Sequence, residues 1–293
     1  MSAVAVQAAP APVAPQPRRS GRPGWGSPSV YFVALLLVGV MLAPVIYIIL
    51  GGFRTNSQIT NDPSGLPHPW VFSNYVDVLT GSTFWHEAWN SAVAATLTTL
   101  GVVAFGLMVS FVLARYHFRG RGVMYALFAS GLMFPMTVAI TPLYILVKDL
   151  GLMNSLAGVI LPQIGFGLPT TVIILVPFLR AIPAELQEAA EVDGCSRLGF
   201  FWRMVLPLSK AGVITVGILA FIASWNSYLL PLFILNNDSS YTLPLGVQAF
   251  ASEYSVDTAK VLAFTSLSML PALAFFSLFE RRIVGGLTGA VKG

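Results

Sequence analysis

Residues 30–50 read VYFVALLLVGVMLAPVIYIIL, without a Lys, Arg, Asp, Glu or His. At about 1.5 Å of rise per residue, a helix of about 20 apolar residues crosses the roughly 30 Å hydrocarbon core of a bilayer. This stretch therefore reads as a membrane span. Working outward, charge-free stretches of similar or greater length follow at 89–114, 122–147, 150–179, 211–236 and 261–279. Their surplus length predicts tilt, interfacial turns or short loops at the ends. The composition agrees, with 56% apolar and 10% charged residues, where a soluble domain carries about 25% charged ones. The small net charge of +4 is dispersed along the chain, which excludes a nucleic-acid binder. A single cysteine excludes an internal disulfide and any cysteine-rich metal site.

Orientation follows from the basic residues, which stay preferentially on the cytoplasmic side of a span. With the amino terminus inside, the cytoplasmic set is Arg18, Arg19, Arg22, Arg115, Arg119, Arg121, Arg180, Arg197, Arg203, Lys210, Arg281, Arg282 and Lys292, against Arg54, Lys148 and Lys260 outside. The sequence thus predicts an all-α integral membrane protein of six transmembrane helices with both termini cytoplasmic. Trp85 and Trp89 on one side, and Trp25, Tyr116 and Trp202 on the other, fit interfacial aromatic belts. The Ala- and Pro-rich residues 1–29, ending in an Arg-rich run, lack the means to form a core and are expected to be a disordered cytoplasmic tail rather than a cleaved signal peptide. Residues 30–280 form the expected six-helix domain and 281–293 a carboxy-terminal tail in the cytoplasm.

Inside the spans polarity is limited to amides and hydroxyls: Asn90, Thr96, Thr98, Thr99, Gln163, Asn226, Ser266 and Ser268. Such groups bond helix to helix. A pump driven by an ion gradient usually needs a carboxylate, a His or unwound backbone at that depth. Any solute passing here is expected to be neutral and polyhydroxylated rather than charged. Prolines at 135, 142, 162, 169, 177, 231 and 271 predict bent helices. An ATP-independent secondary transporter or channel is the rival reading, although no clear internal repeat supports it. A membrane enzyme would need clustered acid, base, nucleophile or metal ligands, and no catalytic or metal site is predicted. His117, between Arg115 and Arg119, reads as an interfacial basic residue.

The long cytoplasmic connection 181–210 is different in kind. Pro183 opens a helix with Glu185 and Glu188 in its first turns, where carboxylates favour the positive end of the helix dipole. Ala189 and Ala190 predict a small-residue surface onto which another protein can close. Asp193 and Gly194 supply the stop, Gly194 by taking the left-handed conformation. A second helix over 196–205 returns the chain to the membrane at Leu206 and Pro207.

The run EAAEVDGCSRLGFFWRMVLPL, residues 188–208, resembles the EAA loop of binding-protein-dependent ABC importer permeases. FSNYVDVL (72–79), ARYHFRGRG (114–122), PLYILVKDLGLMNS (142–155), SWNSYLLPLFIL (224–235), TLPLGVQAF (242–250) and GLTGAVKG (286–293) extend the likeness to the carbohydrate-uptake, MalG-type branch. Cys195 stands where that family usually has Ala or Ser. Ser227-Tyr228 follows Trp225-Asn226 where an acidic residue and Phe are common.

The resemblance implies a type I ABC importer permease fold in the bacterial inner membrane and a subunit that forms half of a sugar or polyol pathway. It implies as partners a second related permease, two ATP-binding subunits and an extracytoplasmic solute-binding protein, with surrounding lipid. The chain has no Gly-x-x-x-x-Gly-Lys-Ser/Thr loop of its own, so ATP and Mg belong to the partner ATPase and no cofactor is expected here. The EAA helix, residues 184–193, would dock in that ATPase, with Glu188 anchoring the loop through charge-assisted hydrogen bonds. On the outer face the region 235–260, with Asp238, Tyr241, Glu253, Tyr254 and Asp257, would meet the binding protein. Trp225, Asn226 and Tyr228 are the expected substrate-path residues, Trp225 by stacking on a sugar ring and Asn226 by amide hydrogen bonds.

Overall fold

A chain surrounded by hydrocarbon satisfies its peptide groups internally, and helices do this within one segment. The computed structural model describes residues 28–250 and 256–291, the last twelve by backbone alone, and no β-sheet occurs among them. The helices are α1 (Pro28–Gly51), α2 (Asn56–Asn61), α3 (Ser73–Thr80), α4 (Ser82–Arg115), α5 (Arg121–Gly131), α6 (Met136–Asp149), α7 (Leu156–Arg180) and α8 (Ala184–Val192). They continue as α9 (Arg197–Phe200), α10 (Leu206–Leu208), α11 (Lys210–Trp225), α12 (Leu229–Ile234), α13 (Leu243–Gly246) and α14 (Thr258–Val291). A π-helical turn, Phe201–Val205, joins α9 to α10. The chain divides into two units, residues 1–46 and 47–293. The first contains most of α1, whose large apolar side chains, Phe32, Leu35 and Met41 among them, are exposed.

Four described helices are long and apolar enough to cross a membrane, and the number is up to six if each bent pair counts as one crossing. One bent pair is α5 with α6, at 102°. The expected span 122–147 is therefore broken in its middle, where Pro135 has no N–H to continue the ladder. The other pair is the helical stretch 197–208 with α11, bent by 76°. The expected span 211–236 is helical only to Trp225, and a break at 226–228 separates it from α12. In contrast, α7 runs unbroken through Pro162, Pro169 and Pro177. The helix of the sixth span continues to Val291, through residues expected to lie in a tail, and α1 begins at Pro28, two residues inside the expected amino-terminal tail. The rest of that tail, with Arg18, Arg19, Arg22 and Trp25, lies outside the described residues, as do Glu253, Tyr254 and Lys292.

In the second unit α4 lies along α7 and α11. Small residues set the approach: a Cβ at Gly106 would sit 2.3 Å from Thr171 Cγ2, and one at Gly101 2.3 Å from Ile164 Cδ1. Without water to drive helices together, such close packing and interhelical hydrogen bonds hold a membrane bundle. Gln163 of α7 supplies the bonds. Its Oε1 accepts from Thr98 Oγ1 of α4 at 3.1 Å and from Ser224 Oγ of α11 at 2.5 Å.

The connections between the long helices are fastened by side-chain bonds. Arg54, 2% exposed, donates to the carbonyls of Gln58, Asp62 and Pro63. The Tyr75 hydroxyl donates to Ile49 O at 2.7 Å and lies 2.9 Å from Ser266 Oγ. Burial pushes its pKa up, against the smaller opposite effect of the Ser266 contact, so the phenol stays protonated as a donor. Asn90 Nδ2 donates to Ser239 O and Tyr241 O at 3.1 and 2.9 Å, and Ser91 Oγ accepts from Leu243 N at 2.8 Å.

The α4–α7 approach predicts that Gly106→Leu forces the helices apart and lowers the melting temperature in detergent by about 5 °C, as overpacking of a tight core does. An unchanged transition would mean that this contact does not carry the bundle.

Candidate functional site

The connection between α7 and α11 is seated on the bundle by a one-sided apolar pattern. Ile182, Leu186 and Ala190 recur four apart, so they share one face. With Phe200, Phe201 and Val205 they pack against Leu107 and Phe111 of α4, Leu175 and Leu179 of α7, and Val213 and Val216 of α11. Ala190 is 7% exposed, so it lies inside this cluster and not on the expected docking surface. The signal was present in the sequence as the four-residue repeat with Ile182 and Leu186.

The opposite face of α8 is open. Glu185, Glu188, Ala189 and Val192, spaced i, i+3, i+4 and i+7, are exposed, and Val192 is 88% exposed. Pro183 stands at the N-cap in extended conformation, where its missing N–H costs nothing. Asp193 ends the helix and Gly194 follows at φ +73, a left-handed conformation that glycine adopts without strain. Cys195 N then donates to Ala190 O at 2.8 Å. Leu206 packs at the edge of the cluster, and Pro207 occupies the first turn of α10.

Arg115, at the last position of α4, ties the loop in place. Its Nη1 donates to Ile182 O at 2.6 Å, Nη2 to Pro183 O at 3.3 Å and Nε to Gln187 Oε1 at 3.1 Å. Its guanidinium also lies 5.8 Å from the centroid of the Phe200 ring, within cation–π range. Gln187 Nε2 passes the chain of bonds to Glu191 Oε1 at 3.1 Å. The anchor of the loop within this chain is thus Arg115, and Glu188, expected in that part, points outward without a hydrogen bond or ion pair to a described residue. Sequence spacing could not reveal this, because the partners of Arg115 lie 67 to 72 positions away. Cys195 is partly buried against the same cluster.

The other sequence-nominated residues lie at the carboxy-terminal end of α11 and just before α12. The Trp225 indole is 6% exposed, donates to Ser268 O at 3.3 Å and stacks on Phe221 at 5.8 Å between centroids. No ring face is open there. Asn226 Nδ2 donates to Ile222 O at 3.0 Å and closes the end of α11. Tyr228 is exposed. The neighbouring serines behave differently: Ser224 and Ser227 line a cavity of about 220 Å³ shared by α4, α6, α7 and α11. Farther out, Asp257 accepts from Asn56 Nδ2 at 3.0 Å and from Lys260 N at 3.2 Å, and Asp238 lies in a short 3₁₀ turn. His117 is exposed, and no cluster of three or more metal-ligating side chains occurs among the described residues.

Residues 103–285 match the family described as binding-protein-dependent transport system inner membrane component. The chain is 31% identical over 251 residues to a diacetylchitobiose uptake system permease protein of Streptomyces coelicolor, covering 85% of this chain and 83% of that one. It is 33% identical to a trehalose transport system permease protein of Mycobacterium tuberculosis, covering 88% and 95%. Among solved structures, a chain of a bacterial ABC transporter involved in the import of the acidic polysaccharide alginate superimposes with a TM-score of 0.73 at 21% identity, over 89% of this chain and 99% of that one.

Replacing Arg115 by Ala removes three hydrogen bonds from a charged donor, of which one alone stabilises by roughly 2 kcal/mol. Amide exchange at Asp193 and Cys195 is expected to quicken by about thirtyfold, with exchange in α7 unaltered. Equal exchange in the variant would mean that the apolar cluster alone holds the loop.

Proposed function

The chain belongs to the family of binding-protein-dependent transport system inner membrane components, and on that premise we propose that it forms half of the translocation pathway of an ATP-driven sugar importer and receives its drive through α8. The observation that carries this is the two-faced α8: Ile182, Leu186 and Ala190 fixed to α4, α7 and α11, with Glu185, Glu188, Ala189 and Val192 presented outward. A helix packed on three spans by one face transmits a push on the other face as a rigid-body movement. The pushing partner is an ATPase subunit, one of two beneath this chain and a second, related permease. A solute-binding protein docks on the opposite side of the membrane, on the connection 235–260.

Six crossings with both ends in the cytoplasm follow when each bent pair counts as one. Residues 30–280 then form the permease domain, with short cytoplasmic extensions before and after it. The charge asymmetry of the connections supports that orientation. For the solute, a sugar or polyol is supported by the uncharged lining of the cavity, which carries amide and hydroxyl groups, and by relatives that serve diacetylchitobiose and trehalose uptake.

Copurification tests the assembly: a second permease and an ATPase are expected to accompany the chain from detergent. Recovery of a lone oligomer that equilibrates trehalose without nucleotide would favour a secondary carrier. Gly194→Pro, which forbids φ +73, and Glu188→Lys, which reverses a charge on the open face, are expected to insert normally and abolish uptake. Full uptake in either would remove α8 from the drive. A membrane-impermeant thiol reagent is expected to reach Cys195 from the cytoplasmic side only, and labelling from outside would reverse the topology.

A further inference from the structure

The cavity of about 220 Å³ between α4, α6, α7 and α11 is lined mainly by apolar side chains, with the uncharged polar groups of Thr98, Gln163, Thr170, Thr171, Ser224 and Ser227 among them. Gln163 is 9% exposed. Its Oε1 accepts from both Thr98 Oγ1 and Ser224 Oγ, which engages those hydroxyl protons. The two protons on Nε2 have no partner among the described residues. Each hydroxyl oxygen keeps a lone pair. The cavity therefore presents donors and acceptors side by side, beside the Ser227 hydroxyl and the Phe166 ring.

That pairing selects an occupant. A hydroxyl group both donates and accepts, so a polyhydroxylated molecule answers both demands, whereas a hydrocarbon would leave the amide protons unpaired. No Asp, Glu, Lys, Arg or His lines the cavity, so an ion entering it would find no counter-charge. The volume lies below the roughly 300–1,000 Å³ of pockets for drug-sized ligands, which suits a single ring more than an extended chain. We propose that this cavity binds one neutral sugar ring or polyol unit of the transported solute, with the Gln163 amide as donor and the Thr98 and Ser224 oxygens as acceptors.

The assignment rests on the sugar-import reading and extends it to a site that the sequence did not nominate. It also places the solute against moving parts. Val216 lines the cavity and belongs to the cluster that seats the α8 loop, so α11 contacts the occupant and the drive within one helix.

The test uses the complete complex in proteoliposomes with a panel of trehalose, diacetylchitobiose, arabinotriose and sorbitol. If the wild-type complex imports none of them on ATP, the sugar-import reading falls and the site with it. If it imports one, that compound becomes the probe, and Gln163→Leu is expected to lower its import by about tenfold, the loss that follows from a missing buried hydrogen bond. Import at the wild-type rate would overturn the cavity assignment and leave the import reading standing. A second measurement does not depend on Gln163. In a Cys195→Ser background, Ala223→Cys puts a thiol on the cavity wall, and saturating probe is expected to slow its reaction with a methanethiosulfonate by about tenfold. Unslowed reaction overturns the assignment. Protection that disappears when Gln163→Leu is added separates ligand binding from a purely structural role of the amide.

Discussion

The hydrocarbon of a bilayer holds no water, so a peptide or polar group facing lipid must find its partner within protein, and one left unpaired must line a cavity. That constraint shapes this chain at each scale. It makes the backbone helical, expels ionised side chains to the ends of the spans, and leaves amides and hydroxyls as the only polar groups the interior can hold. Gln163 shows the constraint at work: one carboxamide oxygen collects hydroxyls from α4 and α11 and so fixes three helices against one another. The polar groups that give the bundle its cohesion are the same ones that give its cavity a chemical character.

The basic residues assigned to the outer side illustrate how a rule of orientation tolerates exceptions. Arg54 is enclosed by carbonyls of the α2 turn, so its charge serves the local fold. Lys260 pairs with Asp77 at 3.0 Å, an exposed contact worth about 1 kcal/mol or less that joins α14 to α3. Lys148 lies in the last turn of α6, where a cation complements the helix dipole. Each has a local reason for its position.

Much of the architecture was legible because its causes are local. The all-helical character, the Pro183 start and the Gly194 stop are all read over a few residues. The rest depends on which surfaces meet. Arg115 looked like any cytoplasmic arginine, since nothing near it in sequence names Ile182, Pro183 or Gln187 as its acceptors. Ala190 was read with Ala189 as a pair, although only one of two adjacent helical residues can face a given side. Trp225 carried the residue type suited to sugar stacking, and its burial against Phe221 and Ser268 is a property of the α11–α14 contact. The breaks after Gly131 and Trp225 were signalled by Pro135 and by the polar run 226–228, but a proline does not announce whether it kinks a helix, as at Pro135, or is absorbed, as in α7.

The break between α5 and α6 has one further meaning. The pair leaves the α-helical ladder at Leu132, Met133 and Phe134, whose N–H groups donate instead to the carbonyls of Ala129, Ser130 and Gly131 in tighter turns, and all three side chains are exposed, Met133 by 84%. Acyl chains offer no hydrogen bonds to unwound backbone. Because these three N–H groups are already taken, the bend strands no donor, and its exposed apolar side chains suit acyl chains as well as they suit another polypeptide.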